Sequence, residues 1–247
     1  MEQPSISQAI HQRIAIRERA ILQFEFLSRF YSSPESEGFV LCGSTALHGA
    51  YLQGRWCKDL DFRAPAHLMN CFLEITGRCG LPLRVPDPPS PFPDHLTRFY
   101  ARPGKVYREV QVSIEVFPYS KPIDSESRTV FLSPNHNIIA PVALLDEMMA
   151  AKLGCLEKRV KATDFLDLWL GLHTVVVREK LRQILIAGEY SGGAFTPTKV
   201  RSEGLLEALL SLRSDWVIEL GNVMNTPPEL ERVHNDLSNW LPALEVI

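Results

Sequence analysis

The sequence predicts an α+β fold, a small mixed β-sheet core flanked by helices with a helical C-terminal region. Three features carry this. Phe39-Val40-Leu41-Cys42 is a short apolar run that stops at Gly43 and passes directly into helix-forming residues, as a buried strand turning into a helix does. Val110, Val112, Ile114 and Val116 alternate with Gln111, Ser113, Glu115 and Phe117, a period of two that gives one apolar and one largely polar face. Beyond about residue 140 the apolar residues recur at helical spacing.

The elements follow in order. Residues 6–31 read as one long amphipathic helix, with Ile10, Ile14, Ile21 and Leu22 near helical spacing and Arg13, Arg17 and Arg19 between them. Ser5 or Ser7 can cap it. Ser32 to Gly38 is a turn, and 39–42 is the first strand. Thr45 to Leu52 is helical. Leu60 and Phe62 flank Asp61 in a second strand over 58–63, and Ala66 to Arg78 is a helix with Leu68, Phe72 and Ile75 on one face. Six prolines between Pro82 and Pro93 forbid a regular helix or a central strand there. Thr97–Ala101 and Lys105–Phe117 form a hairpin that turns at Pro103-Gly104. After a loop at Ser133-Pro134-Asn135, Pro141 is placed to open a helix that runs to about Arg159. Thr163 can cap the next, through Leu172. Further helices are expected at 178–187, 203–212, 216–223 and 228–241, with a loop over 188–198. The expected organisation is an N-terminal helix on the core (1–38), the core (39–135) and a helical C-terminal region (136–247).

Composition narrows the class. The chain has 247 residues, 45% hydrophobic and 22% charged, with a net charge of −3, which is ordinary for a globular protein. No run approaches the ~18 apolar residues of a membrane span, and Met1-Glu2-Gln3-Pro4 does not open a secretory signal. Five cysteines without a Cys-x-x-Cys pair argue for reduced thiols in a cytoplasmic protein rather than disulfides or zinc. Slight acidity excludes a broad basic coat for nucleic acid but leaves room for a local basic groove.

The chemistry concentrates in two stretches. In the first, a strand ends at Gly43 and a helix begins with Ser44 and Thr45, which suits either a capping turn or a phosphate cradle. Asp59 and Asp61, two apart on a strand, project from one face while Leu60 and Phe62 point into the core. Adjacent like charges need compensation, and Mg²⁺ supplies it; a solvated edge pair is the alternative. Glu115 on the polar face of the hairpin is a candidate third carboxylate, with Glu109 as its rival nearer the turn. In the second stretch, Lys152 and Arg159 share one helical face, and Asp164 and Asp167 share a face of the next helix. Lys152 follows Met148-Met149-Ala150-Ala151, so its stem is partly buried and it needs an anion.

Leu41-Cys42-Gly43-Ser44-Thr45-Ala46-Leu47, then Arg55-Trp56-Cys57-Lys58-Asp59-Leu60-Asp61-Phe62, then Ala150-Ala151-Lys152, Arg159 and Thr163-Asp164-Phe165-Leu166-Asp167, resemble the motifs of the AbiEii abortive-infection toxin family, in the nucleotidyltransferase superfamily of DNA polymerase beta type. The likeness spans about residues 39–170. Ser44, Cys57 and Thr163 stand where that family has roughly Gly, Ser and Arg; the lost Arg leaves less positive charge beside the nucleotide.

The resemblance implies a metal-dependent nucleotidyltransferase that moves NMP from an NTP to an acceptor hydroxyl and releases pyrophosphate. Asp59, Asp61 and Glu115 would hold Mg²⁺, two ions when NTP is bound. Gly43, Ser44 and Thr45, with Arg55, would cradle the phosphates. Lys152 would neutralise the leaving pyrophosphate, with Asp164 positioning it or the acceptor. The acceptor implied is an RNA end such as a tRNA, and a cognate antitoxin would be a partner. A small-molecule, aminoglycoside-type transferase is the second reading and a degenerate nucleotide-binding module the third. A cleft rich in Lys and Arg favours RNA; an acidic one favours the small molecule.

Overall fold

The computed structural model describes residues 6–86, 96–105, 108–119, 123–156, 159–174, 178–187 and 202–244. Most of the proline cluster and the expected loop at 188–198 lie outside them. Helix α1 (Ile6–Phe30) leads to strand β1 (Val40–Cys42), helix α2 (Gly43–Leu47) and a wider π-type turn over His48–Leu52. Strand β2 (Asp59–Pro65), helix α3 (Cys71–Arg78) and strands β3 (Leu83–Arg84), β4 (Leu96–Pro103) and β5 (Glu109–Tyr119) follow. Strands β6 (Ser125–Ser133) and β7 (His136–Ala143) precede α4 (Leu145–Leu156), α5 (Ala162–His173), α6 (Arg178–Ala187), α7 (Ser202–Ser211), α8 (Trp216–Gly221) and α9 (Leu230–Trp240).

The strands form one mixed sheet in the order β3-β4-β5-β2-β1-β7-β6. β2 runs antiparallel to β1 and parallel to β5. On one sheet face Leu60, Phe62, Val112, Ile114 and Val116 are buried, and α1 and α3 cover it. Phe26 and Phe30 of α1 meet Phe39, Phe62 and Phe72 with ring centroids 5.3–6.2 Å apart. Aromatic burial of this density fixes the register of β2, because a one-residue slip would turn Phe62 out and Asp61 in.

One stretch departs from expectation. Pro141 lies in β7, not at a helix start, and residues 125–143 form a hairpin whose turn is the expected loop at Pro134-Asn135. Pro141 is tolerated because β7 meets β1 at a single pair, Leu41 with Val142, where no continuous ladder demands its missing N–H. The sheet therefore extends to Ala143. The next helix starts at Leu145. Thr163 is not the cap of α5: Lys161 holds the capping position, and the carboxylate of Glu219 in α8 accepts from Ala162 N at 3.0 Å.

Candidate active site

Gly43 ends β1 in the left-handed region, at φ +66°. A Cβ there would also collide with Asp61 Oδ2, so the turn needs glycine twice, for its backbone and to make room for the carboxylate. Asp61 lies opposite Cys42 on β1 and opposite Glu115 on β5. β4 extends the row, with Thr97 opposite Glu115. The next residues on the same face are Asp59, Ser113 and Phe99. The sheet register thus sets Asp59, Asp61 and Glu115 together on one ledge. Burial, then Glu115, then Asp59 push the Asp61 carboxyl up to about 7. Asp59 stands at the exposed rim, and its carboxyl is also raised, by desolvation, against the charges of Arg19, Lys58, Arg55 and Lys161. The rival Glu109 pairs with Arg84 at 2.6 Å, at the far end of the strand.

Beside this ledge is a second cluster with the opposite balance. Asp167 of α5 is fully buried. It accepts from Arg55 Nε at 2.7 Å and Arg55 Nη2 at 2.8 Å, from His48 Nε2 at 2.8 Å, and from Lys152 Nζ at 2.7 Å. The Gly54 N–H donates to His48 Nδ1 at 3.2 Å, so the imidazole proton sits on Nε2, facing Asp167. Burial would raise Asp167, but Lys152 and Arg55 overcome it and hold the carboxyl well below the usual range. Burial likewise works against the charge of Lys152, and Asp167 and Asp164 overcome it, so its ammonium is held charged. Lys152 Nζ also reaches Asp164 at 2.8 Å, and Arg159 Nε closes on the other Asp164 oxygen at 2.8 Å.

Ser44 joins the two clusters. Its Oγ accepts from Arg55 Nη2 at 2.8 Å and Lys152 Nζ at 3.2 Å and donates to Asp167 at 3.3 Å. Lys152 is thereby placed beside the Gly43-Ser44 turn. Arg55 is nearly buried, and its fork faces Asp167 rather than solvent. Thr45 points inward, its hydroxyl donating to the Asp59 carbonyl at 2.5 Å. Gln23 of α1 braces the same backbone, donating to the Cys57 carbonyl at 3.3 Å. Sequence reasoning named Asp167 in the motif without giving it a role, and left His48 out. Their signals were spacing: Asp167 is three residues beyond Asp164, and His48 four beyond Ser44, one helical turn in each case.

Among the described residues no group of three or more His, Cys, Asp or Glu side chains is placed to hold a metal ion by itself. None of the five cysteines is in a disulfide, and among the described residues no helix is long and apolar enough to cross a membrane.

A mixed sheet with a Gly-Ser turn, paired aspartates on the next strand and a lysine delivered from a following helix is the architecture of a nucleotidyltransferase. The family model described as nucleotidyl transferase AbiEii toxin, type IV toxin-antitoxin system, matches residues 25–240, and the chain belongs to that family. The structure is similar to MenT4, a nucleotidyltransferase toxin from Mycobacterium tuberculosis, with a TM-score of 0.68 and 18% identity, covering 96% of this chain and 88% of that one. It is also similar to JHP933 from Helicobacter pylori, with a TM-score of 0.61 and 17% identity, covering 93% and 91%. At these identities the likeness is one of fold. No curated protein matches the chain.

Proposed function

We propose that this nucleotidyltransferase is metal-dependent and moves NMP from an NTP to a hydroxyl of RNA, such as a tRNA, as the toxin partner of an antitoxin. The observation that carries the metal and nucleotide reading is the ledge itself. Three carboxylates lie side by side with Asp61 pushed up to about 7, directly beside the Ser44–Lys152 contact. The donor set fits Mg²⁺, which takes hard oxygens and is commonly held by one or two carboxylates plus substrate phosphates rather than by an all-protein cage. Thr97 supports the fit: its Oγ, in register with Glu115, is buried without a hydrogen-bond partner among the described residues, a polar group that bound solvent would satisfy.

Asp59 and Asp61 would hold the metal against the triphosphate, with Glu115 holding a second ion or taking the acceptor proton. Bound Mg²⁺ would neutralise the phosphates and stabilise the entering and leaving oxygens. The Gly43-Ser44 turn receives the phosphates, and Lys152, oriented by Asp164 and Asp167, balances the charge that develops on pyrophosphate. Arg55 acts through Ser44 and Asp167, and Thr45 through the Asp59 backbone. The acceptor oxygen bonds to the α-phosphorus, the bond from that phosphorus to the oxygen bridging to the β-phosphate breaks, and the hydroxyl proton passes to Glu115 or, where Glu115 holds the second ion, to solvent.

Arg19, Lys58, Arg159 and Lys161 surround the carboxylates, their charges acting on Asp59 or Asp61. A cationic border of this kind attracts a polyanion and repels an aminoglycoside. Retention of Asp59, Asp61 and Lys152 together weighs against a degenerate module. Incubation with each radiolabelled NTP, total RNA and Mg²⁺ should label RNA in the wild type and not in Asp61→Asn. Labelling of an aminoglycoside and no RNA would overturn the RNA reading.

A further inference from the structure

Beside Asp59 lies a cavity of about 630 Å³ between α1, the 55–58 segment and the end of α8. His11, Gln12 and Arg19 line it from α1, Trp56 and Lys58 from the segment that enters β2, and Asn222 from beyond α8. We propose that this cavity seats the terminal nucleotides of a single-stranded RNA acceptor, a base against Trp56 and phosphates against Arg19 and Lys58. The inference rests on the RNA reading above and deepens it.

Position is the first argument. In-line displacement needs the entering and leaving oxygens on opposite sides of the phosphorus. Ser44 and Lys152 mark the pyrophosphate side, next to Asp61. The cavity adjoins the other member of the pair: Lys58 directly precedes Asp59, and the charges of Arg19 and Lys58 both act on the Asp59 carboxyl. An acceptor held there would approach from the Asp59 end of the pair.

Chemistry is the second. Among the described residues no carboxylate lines the cavity; its polar wall consists of cations, an imidazole, amides and a thiol, around one half-buried indole. Aromatic faces with flanking cations bind single strands with little regard to sequence. The volume falls in the range of about 300–1,000 Å³ usual for ligand sites, enough for one or two nucleotides.

The wall is also held in place. Trp56 N donates to the Val223 carbonyl at 2.9 Å, Gln12 Nε2 to the Asn222 carbonyl at 3.3 Å, and Arg19 Nε to the Gln111 carbonyl at 3.3 Å. The Trp56 backbone and the Arg19 guanidinium are therefore tied before a ligand arrives, which lowers the ordering cost of binding.

The test uses the full chain and a 5′-labelled single-stranded RNA octamer with a free 3′-hydroxyl, followed by fluorescence anisotropy in EDTA so that no transfer occurs. Trp56→Ala should weaken binding about tenfold, and Trp56→Phe should restore most of it. Lys58→Ala should weaken binding and flatten the slope of log K against log salt by about 0.7. Lys58 is exposed, so this variant serves if Trp56→Ala does not fold. In steady state, KM for RNA should rise while KM for the nucleotide moves less than about twofold. Unchanged RNA binding in Lys58→Ala, and in Trp56→Ala where it folds, would overturn the assignment. So would a rise in KM for the nucleotide alone, which would make the cavity an NTP site. If the wild type labels RNA and these variants match it in KM, only the cavity assignment falls; if the wild type labels no RNA at all, the RNA reading falls with it.

Discussion

On the sheet, Asp61 stands beside Asp59 and Glu115 with its carboxyl pushed up to about 7. On the helices, Asp167 is more deeply enclosed, fully buried where Asp61 is half-buried, and yet is held far below the usual carboxylate range. The residue type is the same; the difference lies in what the backbone brings near. Register between parallel strands aligns Asp61 with another carboxylate, whereas four separate segments aim Arg55, His48, Ser44 and Lys152 at Asp167. One cluster is complete within the chain. The other gathers like charges that, on the proposed reading, a bound cation would offset.

Exchanging each aspartate for its amide sharpens the contrast most. Asp61→Asn should cost several kcal/mol of transition-state stabilisation, at least about a thousandfold in kcat. Its ligand-free melting temperature should stay equal or rise, because like-charge repulsion is removed. Mg²⁺ with NTP should then raise that temperature much less than in the wild type. A variant that melts lower yet is stabilised equally by Mg-NTP would show that Asp61 is structural.

Asp167→Asn should do the reverse to stability. Leaving Lys152 and Arg55 buried with their shared anion gone costs about 3–5 kcal/mol, a fall in Tm on the order of 10 °C for a chain of this size. Unchanged melting would mean that the cluster is wetter than its geometry implies.

A smaller effect separates the clusters by pH. Burial lowers the pKa of His48 below its ordinary 6.5, so the unfolded chain takes up this proton first. The stability His48 contributes is complete above about pH 6.5 and is lost as pH falls through the folded value. His48→Gln should flatten the slope of stability below pH 6.5, by no more than about 1.4 kcal/mol per pH unit. Denaturant melts at a series of pH values read it directly; an unaltered slope would place the proton uptake elsewhere.

The smallest change is expected from Thr97→Val, which removes a buried hydroxyl that has no partner among the described residues. Ligand-free stability should hold or rise by up to about 1 kcal/mol. A loss of more than that in urea melts would mean that the hydroxyl is already bonded and the row beside Glu115 is complete.

The sheet ledge was legible in the sequence because period two is a local signal: Leu60 and Phe62 against Asp59 and Asp61 fix which side faces the core, and the Val110–Val116 alternation does the same for Glu115. The long N-terminal helix and most of the C-terminal helices were legible for the same reason. The Asp167 cluster was only half legible. Spacing put Asp167 on the face of Asp164, but nothing local says that Arg55, more than a hundred residues earlier, would turn inward to meet it. The hairpin of β6 and β7 was hidden by Pro141, whose usual preference for helix starts was overridden where the ladder to β1 lapses.

Helix α8 is short, yet it holds two distant points of the molecule. Glu219 caps the start of α5, which carries Asp164 and Asp167, and the carbonyl of Val223 just past its end receives Trp56 N, three residues before the acid strand. During synthesis both anchor points leave the ribosome long before α8 does. The helix with its carboxylates and the loop leading to Asp59 are therefore pinned only after α6 and α7 have followed. A nascent or prematurely terminated chain that stops short of Glu219 carries every motif residue but lacks the brace that sets the two halves of the centre in register.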